Sequence, residues 1–486
     1  MSYFIGIDVG TSSVKAARLS GGKTTTYRAV YDPALGNTPT AWWKALADAV
    51  AQVSADTGTD CAGLGLTAQV GTYLLANEKQ PVEAWPVYGW GGSGGTKQRE
   101  ALQDRFGTEF FIAHTGMPMP KVPSYPASRL RWFIEERAHE WARATKILAP
   151  KDFLYEKLTG KLCSDTLTWN GLADPLTGNP NPEFLAALGM NPERFAPMYP
   201  SLCAPAGLCD SAAEKLGLPV GTPVYLGCND SHASFLGMGI SGIGQAFDLT
   251  GTSEHVGLIS PMPIGDGEMI CSTFFEGCAT FGVTASSGSS IDWGYRICGM
   301  PQNAQTEALV TERFHAMEEG RAHPPVFLPY VTGERTPIWD GDARGAFIGL
   351  SAEHTPADLL YSVLEGVVFS VAHIWSGLPG ELTEDAHTIR LGGGASENTL
   401  LNEMKAALLG VTLEIPSEKN VGALGAGLIA AAGSGAYPSL RDAVSAYVSL
   451  SARVMPRADP MPLKRRFALY RKLSGLNREF GVSAAL

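Results

Sequence analysis

The sequence predicts an α/β protein built from two related halves. Three observations predict it: a strand–turn–strand segment at the N-terminus, a second copy of that segment at mid-chain, and alternation of strand-like and helix-like runs around both. Tyr3 to Asp8 is a β-branched and aromatic run that ends in Asp8-Val9-Gly10-Thr11-Ser12-Ser13, and Val14 to Leu19 follows as a second strand. Gln245 to Thr250 likewise leads into Gly251-Thr252-Ser253 and on to Glu254 to Ile259. Gly and Ser favour turns in any protein, so one local match could be chance. Thr252, however, lies 241 residues beyond Thr11, about half of the 486-residue chain, which argues for two halves that each open with a phosphate-sized turn.

Between the two turns, Trp42, Leu46, Val50 and Val53 fall at helical spacing and Cys61 to Thr67 reads as a strand. Arg129 to Glu140 and Lys151 to Thr159 read as helices. Pro325 to Val331 reads as a strand entering a loop, and Pro356 to Ile374 as a long helix with Leu359, Leu360, Val363, Val367 and Ser370 on its face. Ile389 to Leu391 runs into Gly392-Gly393-Gly394, and a helix opens near Glu397-Asn398 and ends at Leu409. Val411 to Ile415 returns as a strand, then Gly425 to Ala432 forms a helix of small residues. The expected division falls near Gly237 to Gly242, giving domains 1–240 and 241–486.

Composition narrows the function. With 45% hydrophobic and 17% charged residues the chain is globular, and its net charge of −11 disfavours broad binding to nucleic acid or an anionic membrane. A small ligand is the expected partner. The eight cysteines form no C-x-x-C pair and read as reduced core residues, the N-terminus lacks a basic signal-peptide region, and Ala423 to Ala432 is too short to span a bilayer. A cytoplasmic location is expected.

A strand ending in Asp-x-Gly-Thr-Ser presents successive backbone amides and hydroxyls that can hold a phosphate without a cationic side chain. Lys15 adds a point charge to the first turn, Gly251 to Ser253 offers a second cradle, and two cradles across a cleft suit a nucleotide's phosphates. Asp8 then either holds Mg²⁺ through water or caps the turn. Gly392 to Gly394 lets backbone pass close to a planar or phosphate group. Asp230 follows the strand Val224-Tyr225-Leu226 and precedes a helix, so it either caps that helix or projects into a cleft as the acceptor of a hydroxyl proton.

With these residues in order, the sequence resembles the FGGY carbohydrate kinases, in particular their xylulokinase-like branch. The resemblance spans nearly the whole chain. It rests on Asp8 to Lys15, Ala149 to Leu154 with Leu158-Thr159-Gly160, Asp230, Gly251-Thr252-Ser253, Phe327 to Tyr330 with Gly333 to Pro337, Leu364-Glu365-Gly366, and Gly392 to Ala395. It implies two ribonuclease-H-like, actin-type ATPase domains with the active site between them, and ATP and Mg²⁺ as cofactors. It also implies Asp230 as general base, Asp8 as the metal-side carboxylate, and Thr11, Ser12, Ser13 and Lys15 as the first phosphate turn. Gly251 and Thr252 correspond to the second turn, and Gly288, Gly394 and Asn398 to positions near the nucleotide. A homodimer is the family expectation.

The departures lie on the sugar side, where the resemblance makes Gln69, Trp90 and Ser231 substrate contacts beside Asp230. Ala68-Gln69-Val70-Gly71-Thr72 keeps the family's Gln and lacks its His. Trp90-Gly91-Gly92-Ser93-Gly94 has glycine where relatives carry Asp and Arg, and Ser231 replaces an Asn. The resemblance implies a small carbohydrate, a ketose such as a pentulose or a polyol. A site built on such groups, however, discriminates by leaving them unpaired when the ligand is wrong, so D-xylulose does not follow. The Gly89 to Gly95 loop leaves room for a larger substrate or a different one that meets Tyr73, Tyr125, His232 or His255. The competing readings are a nucleotide-binding regulatory protein with a degenerate sugar site and an actin-like filament or chaperone ATPase.

Overall fold

The computed structural model describes residues 2–55, 60–77, 79–90, 92, 94–116, 119, 125–169, 171–174, 176–264, 268–457 and 459–479. β1 (Tyr3–Val9) is buried along its whole length because both faces of its sheet are covered. It pairs antiparallel with β2 (Ser13–Ser20), which pairs antiparallel with β3 (Lys23–Val30). On its other side it pairs parallel with β4 (Cys61–Ala68), and β5 (Pro223–Asn229) adds parallel to β4. The order is therefore β5-β4-β1-β2-β3, with the short strand Ala206–Gly207 outside β5.

The second sheet repeats this plan. β6 (Ala246–Thr250) pairs antiparallel with β7 (Glu254–Ser260), and β7 antiparallel with β8 (Cys278–Val283). β6 also pairs parallel with β9 (Thr388–Gly393), and β9 with β10 (Thr412–Pro416). The order β10-β9-β6-β7-β8 reproduces the first sheet strand for strand, with Leu450–Val454 and Ile270–Thr273 added at the edges. The two Gly-Thr-Ser turns thus occupy the same place in duplicated sheets, as the half-length offset implied.

α1 (Pro39–Ser54) covers the Ile5, Ile7 and Val9 face of β1 with Trp42, Leu46 and Val50. α2 is Pro126–Glu136, α3 Asp230–Gly237, α4 Gly288–Ile297, α5 Pro356–Gly377, α6 Thr399–Leu409 and α7 Val421–Gly433. By length and composition α5 alone, among the described residues, could cross a membrane, but its apolar window is 89% buried inside the second half.

α7 comes from the second half of the sequence and lies against the first sheet. A Cβ on Gly6 of β1 would sit 1.9 Å from the Ala423 carbonyl, and one on Gly65 of β4 would sit 1.9 Å from the Ala426 carbonyl, so helix and strand backbones touch. On α7 itself, Gly425 meets the Ala233 carbonyl of α3 in the same way, at 1.8 Å. α3 in turn stacks Phe235 on Phe247 of β6 at 3.8 Å, so α3 and α7 share one core with both sheets.

Three expectations shift. The run Arg129 to Glu140 is two helices, because Arg137 leaves helical geometry and a short helix, Ala138–Arg143, folds back to stack Trp141 on Phe133. Only Val326–Leu328 of the run Pro325 to Val331 pairs as a strand. The cysteines are all free thiols, but Cys203 is exposed and Cys209 and Cys298 are partly so, because they sit in surface turns or at helix ends rather than in the core.

Placing a methyl group between touching backbones forces them apart, so Gly6→Ala should destabilise the protein by about 3 kcal/mol or more in urea unfolding. Gly341→Ala, which meets nothing within 4 Å, should stay close to wild type.

Candidate active site

β1, β4 and β5 end side by side: Asp8 is level with Thr67, and Thr67 with Cys228. Ligands of open α/β sheets bind beyond such carboxyl-terminal strand ends. Asp230 is the first residue of α3, and its capping role is taken by its neighbour: Asn229 Oδ1 accepts from the His232 amide at 2.9 Å, while its Nδ2 donates to the Leu167 carbonyl at 2.8 Å. The half-buried Asp230 carboxylate accepts from the Ser231 amide at 3.0 Å. Burial and then the charge of Asp8 push its pKa up to about 7, opposed by the Ser231 and Val70 amides. Burial also raises Asp8, and Lys15 opposes that shift from 3.7 Å.

The first turn is closed by its own backbone and by Tyr31. Gly10 N–H donates to the Ser13 carbonyl (3.0 Å), Tyr31 N–H to the Ser12 carbonyl (3.0 Å), and Tyr31 OH to the Gly10 carbonyl (2.7 Å). Thr11 and Ser12 are exposed at its tip, whereas Ser13 is buried and its hydroxyl accepts from Arg28 Nε at 3.0 Å.

In the second sheet β6 and β9 end together, Thr250 level with Gly393. Thr250 Oγ1 ties the two by donating to the Gly392 carbonyl and accepting from the Ala395 amide, each at 2.9 Å. Gly251 and Thr252 are exposed at the next turn. α4 begins directly against it: Gly288 N–H donates to the Gly251 carbonyl at 3.0 Å, and a Cβ there would lie 2.5 Å from the same oxygen. Gly394 has open space where its Cβ would be. Asn398 caps α6 by accepting from the Leu401 amide at 3.0 Å.

A small recess of about 20 Å³ lies beside the first-sheet tips and is lined by Gln69, Thr72, Tyr73, Lys151, Trp169 and Asn229. Gln69 is only 3% exposed. Its Nε2 donates to the Gly10 carbonyl (3.2 Å) and Asn37 Oδ1 (3.0 Å), and its Oε1 accepts from Thr72 Oγ1 and Asn37 Nδ2 (both 3.2 Å). It therefore links the first turn to the recess. Lys151 was absent from the sequence-derived candidates; its ammonium pairs with Asp165 at 2.7 Å, a partner too distant in sequence to be read from spacing. Ser231 is half-buried and Trp90 is 45% exposed.

The glycine loop after Trp90 has a support that pattern reading missed. Arg129 of α2, 2% exposed, donates to the Gly92 carbonyl at 3.0 Å and the Gly89 carbonyl at 3.3 Å, and its guanidinium lies over Trp132. A Cβ on Gly94 would lie 2.6 Å from Trp132, so the loop can sit this low only as glycine. Gly91 and Ser93 of this loop lie outside the described residues. Of the further candidates, Tyr73 stacks on Trp169 and Tyr125 is buried in the same cluster. His232 bonds Ser272 at 3.1 Å and is held neutral by burial, with a pKa of about 3. His255 is lowered to about 4 by burial and by Arg335.

Duplicated sheets of this strand order, each with a glycine turn at its tip, define a two-domain fold of the actin and ribonuclease-H type. The chain belongs to the FGGY family of carbohydrate kinases: the family's N-terminal domain matches residues 3–237 and its C-terminal domain residues 249–434. It is 29% identical over 444 residues to a xylulose kinase of Klebsiella pneumoniae, covering 88% of this chain and 89% of that one. The fold matches a ligand-bound xylulose kinase of Lactobacillus acidophilus with a TM-score of 0.86 at 21% identity, covering 99% and 98% of the two chains. A gluconate kinase of the same species matches with a TM-score of 0.85 at 20% identity, covering 99% and 97%. The protein is an ATP-dependent carbohydrate kinase, transferring a phosphoryl group to a hydroxyl of a sugar or polyol.

Arg129→Met should leave the fold intact but unseat the loop, because the half-buried Gly89 and exposed Gly92 carbonyls lose their common donor. Hydrogen exchange should show faster exchange across residues 89–95, with residues 3–9 of β1 unchanged.

Proposed function

We propose that Asp230 is the general base. The observation that carries this reading is its freedom: Asn229 caps α3, so the Asp230 carboxylate stays available at the strand tips with a pKa near neutrality. The substrate hydroxyl passes its proton to Asp230 as its oxygen bonds to the γ-phosphorus of ATP and the bond from that phosphorus to the bridging oxygen breaks, releasing ADP. Thr11, Ser12, Ser13 and Lys15 form one phosphate turn, and Gly251 and Thr252 the other, with Gly288, Gly394 and Asn398 beside the nucleotide. The fixed hydroxyl of Ser13 and the capping role of Asn398 make these two supports of the site through their neighbours.

Asp8 would hold Mg²⁺ through water. The donor set fits such an ion in that Asp8 offers a carboxylate, close enough to Asp230 for their charges to interact, to a cation that keeps most of its own waters. When bound, the ion neutralises phosphate charge. Gln69, Trp90 and Ser231 flank the sugar, Gln69 by shaping the recess. The domains divide near residue 240, the cytoplasm is the working compartment, in keeping with eight free thiols, and a homodimer completes the reading.

The xylulose kinase relatives make a pentulose the first substrate to try, and the glycine loop extends the panel to hexuloses, polyols and sugar acids. ADP release over that panel tests the reading: one class should give turnover that Asp230→Asn lowers by about 10²–10⁴-fold. Silence throughout, or an undiminished variant, rejects it. Because the base works ionised, kcat/KM should rise with pH through about 7.

A raised carboxyl pKa means the folded state binds a proton that the unfolded state has released between the two pKa values, so folding stability falls as pH climbs from about 4 to 7. Asp230→Asn should therefore raise the melting temperature at pH 8 and change it little at pH 4, as scanning calorimetry can show.

A further inference from the structure

A buried charged cluster lies beneath the second turn, and the phosphoryl transfer does not use it. Lys405 of α6 is 2% exposed. Its ammonium donates to Asp248 Oδ2 on β6 at 2.7 Å and to Glu254 Oε1 on β7. Asp248 and Glu254 flank the Gly251–Ser253 turn, Glu254 standing opposite Thr250 in the hairpin register. The second oxygen of Glu254 accepts from Ser287 Oγ at 2.7 Å. Ser287 is the residue before α4, and its amide donates to the Thr252 carbonyl at 2.9 Å.

One ammonium therefore ties both strands of the hairpin together and, through Glu254 and Ser287, fastens the start of α4 onto the hairpin tip. Because α6 follows directly on Gly394 to Asn398, the same lysine also anchors the third glycine segment. Burial drives Asp248 strongly toward its neutral form, while Lys405 holds Glu254 ionised, so the cluster is close to neutral overall. Removing such charges from water is costly, and apolar side chains would often stabilise a hairpin as well. What charged hydrogen bonds add is a fixed geometry among separate elements, here the three that meet at the second-sheet tips.

We propose that the Asp248–Lys405–Glu254 cluster, acting through Ser287, is a positioning device that sets the nucleotide-side turns in their binding geometry. This rests on the assignment of those turns to the nucleotide. Lys405, Glu254 and Ser287 are positioning residues, since the groups they hold, and not they themselves, would meet the phosphates. The cluster should then control nucleotide affinity more than folding.

The test is calorimetric titration of Mg·ADP into the full-length wild type, Lys405→Met, Ser287→Ala and Ser287→Thr, with melting temperatures measured in parallel. Lys405→Met should weaken Mg·ADP at least tenfold, Ser287→Ala at least threefold, and Ser287→Thr should bind within twofold of wild type. Should Lys405→Met fail to fold, Ser287→Ala, which removes a single hydroxyl, decides the matter. Folded variants that bind as wild type does, whatever their melting temperatures, overturn the inference alone. A wild type that does not bind Mg·ADP overturns the assignment of the turns and the inference with it.

Discussion

The rest of the structure depends on the backbone contact between α7 and the first sheet. Gly6 and Gly65 let the helix lie directly on β1 and β4, and Gly425 lets α3 lie on the helix. With no side chains between these layers, the offset between α3, which carries Asp230 at its start, and β1, which carries Asp8 at its end, is set by backbone dimensions. The Phe235–Phe247 stack then carries that placement to the second sheet. Close packing of this kind transmits small displacements instead of absorbing them, so the two sets of strand tips are coupled through one continuous core even though they belong to opposite halves.

Within that frame, capping and ionisation are divided between neighbours. Asn229 satisfies the start of α3 and leaves Asp230 a carboxylate with only amide partners, close enough to Asp8 to feel its charge. The raised pKa is a cost in stability, of the kind found where a carboxylate is held near neutrality in a site, and it is what the proposed role of Asp230 draws on. On the opposite side the turns are exposed backbone, supported from beneath by buried groups. If the turns hold phosphates by their amides, as proposed, little basic surface is needed, and a net charge of −11 is compatible with a polyanionic substrate.

Much of this was legible in the sequence because it is written locally. A strand needs its β-branched run and a turn its Gly-Thr-Ser, so β1, β2, β6 and β7 and both turns appear at the expected places. The run from Arg129 to Glu140 was misread as one helix because the break at Arg137 comes from the stacking of Trp141 on Phe133, a contact that periodicity does not encode. Arg129, Lys151 and Lys405 were missed for a related reason. The partners of Arg129 are backbone carbonyls, which no residue type announces, and those of Lys405 lie more than 150 residues away.

By itself the sequence determined the duplicated α/β plan, the two turns, the candidate acid and its family, because each depends on residues adjacent in the chain. Only the tertiary structure decided that a helix from the second half closes onto the first sheet. It also decided that Asn229 and not Asp230 caps α3, that Gln69 shapes the recess through its own hydrogen bonds, and that buried cations hold the loops. These outcomes turn on which groups meet after folding, where a glycine's missing Cβ or a lysine's reach matters only once another element has arrived beside it.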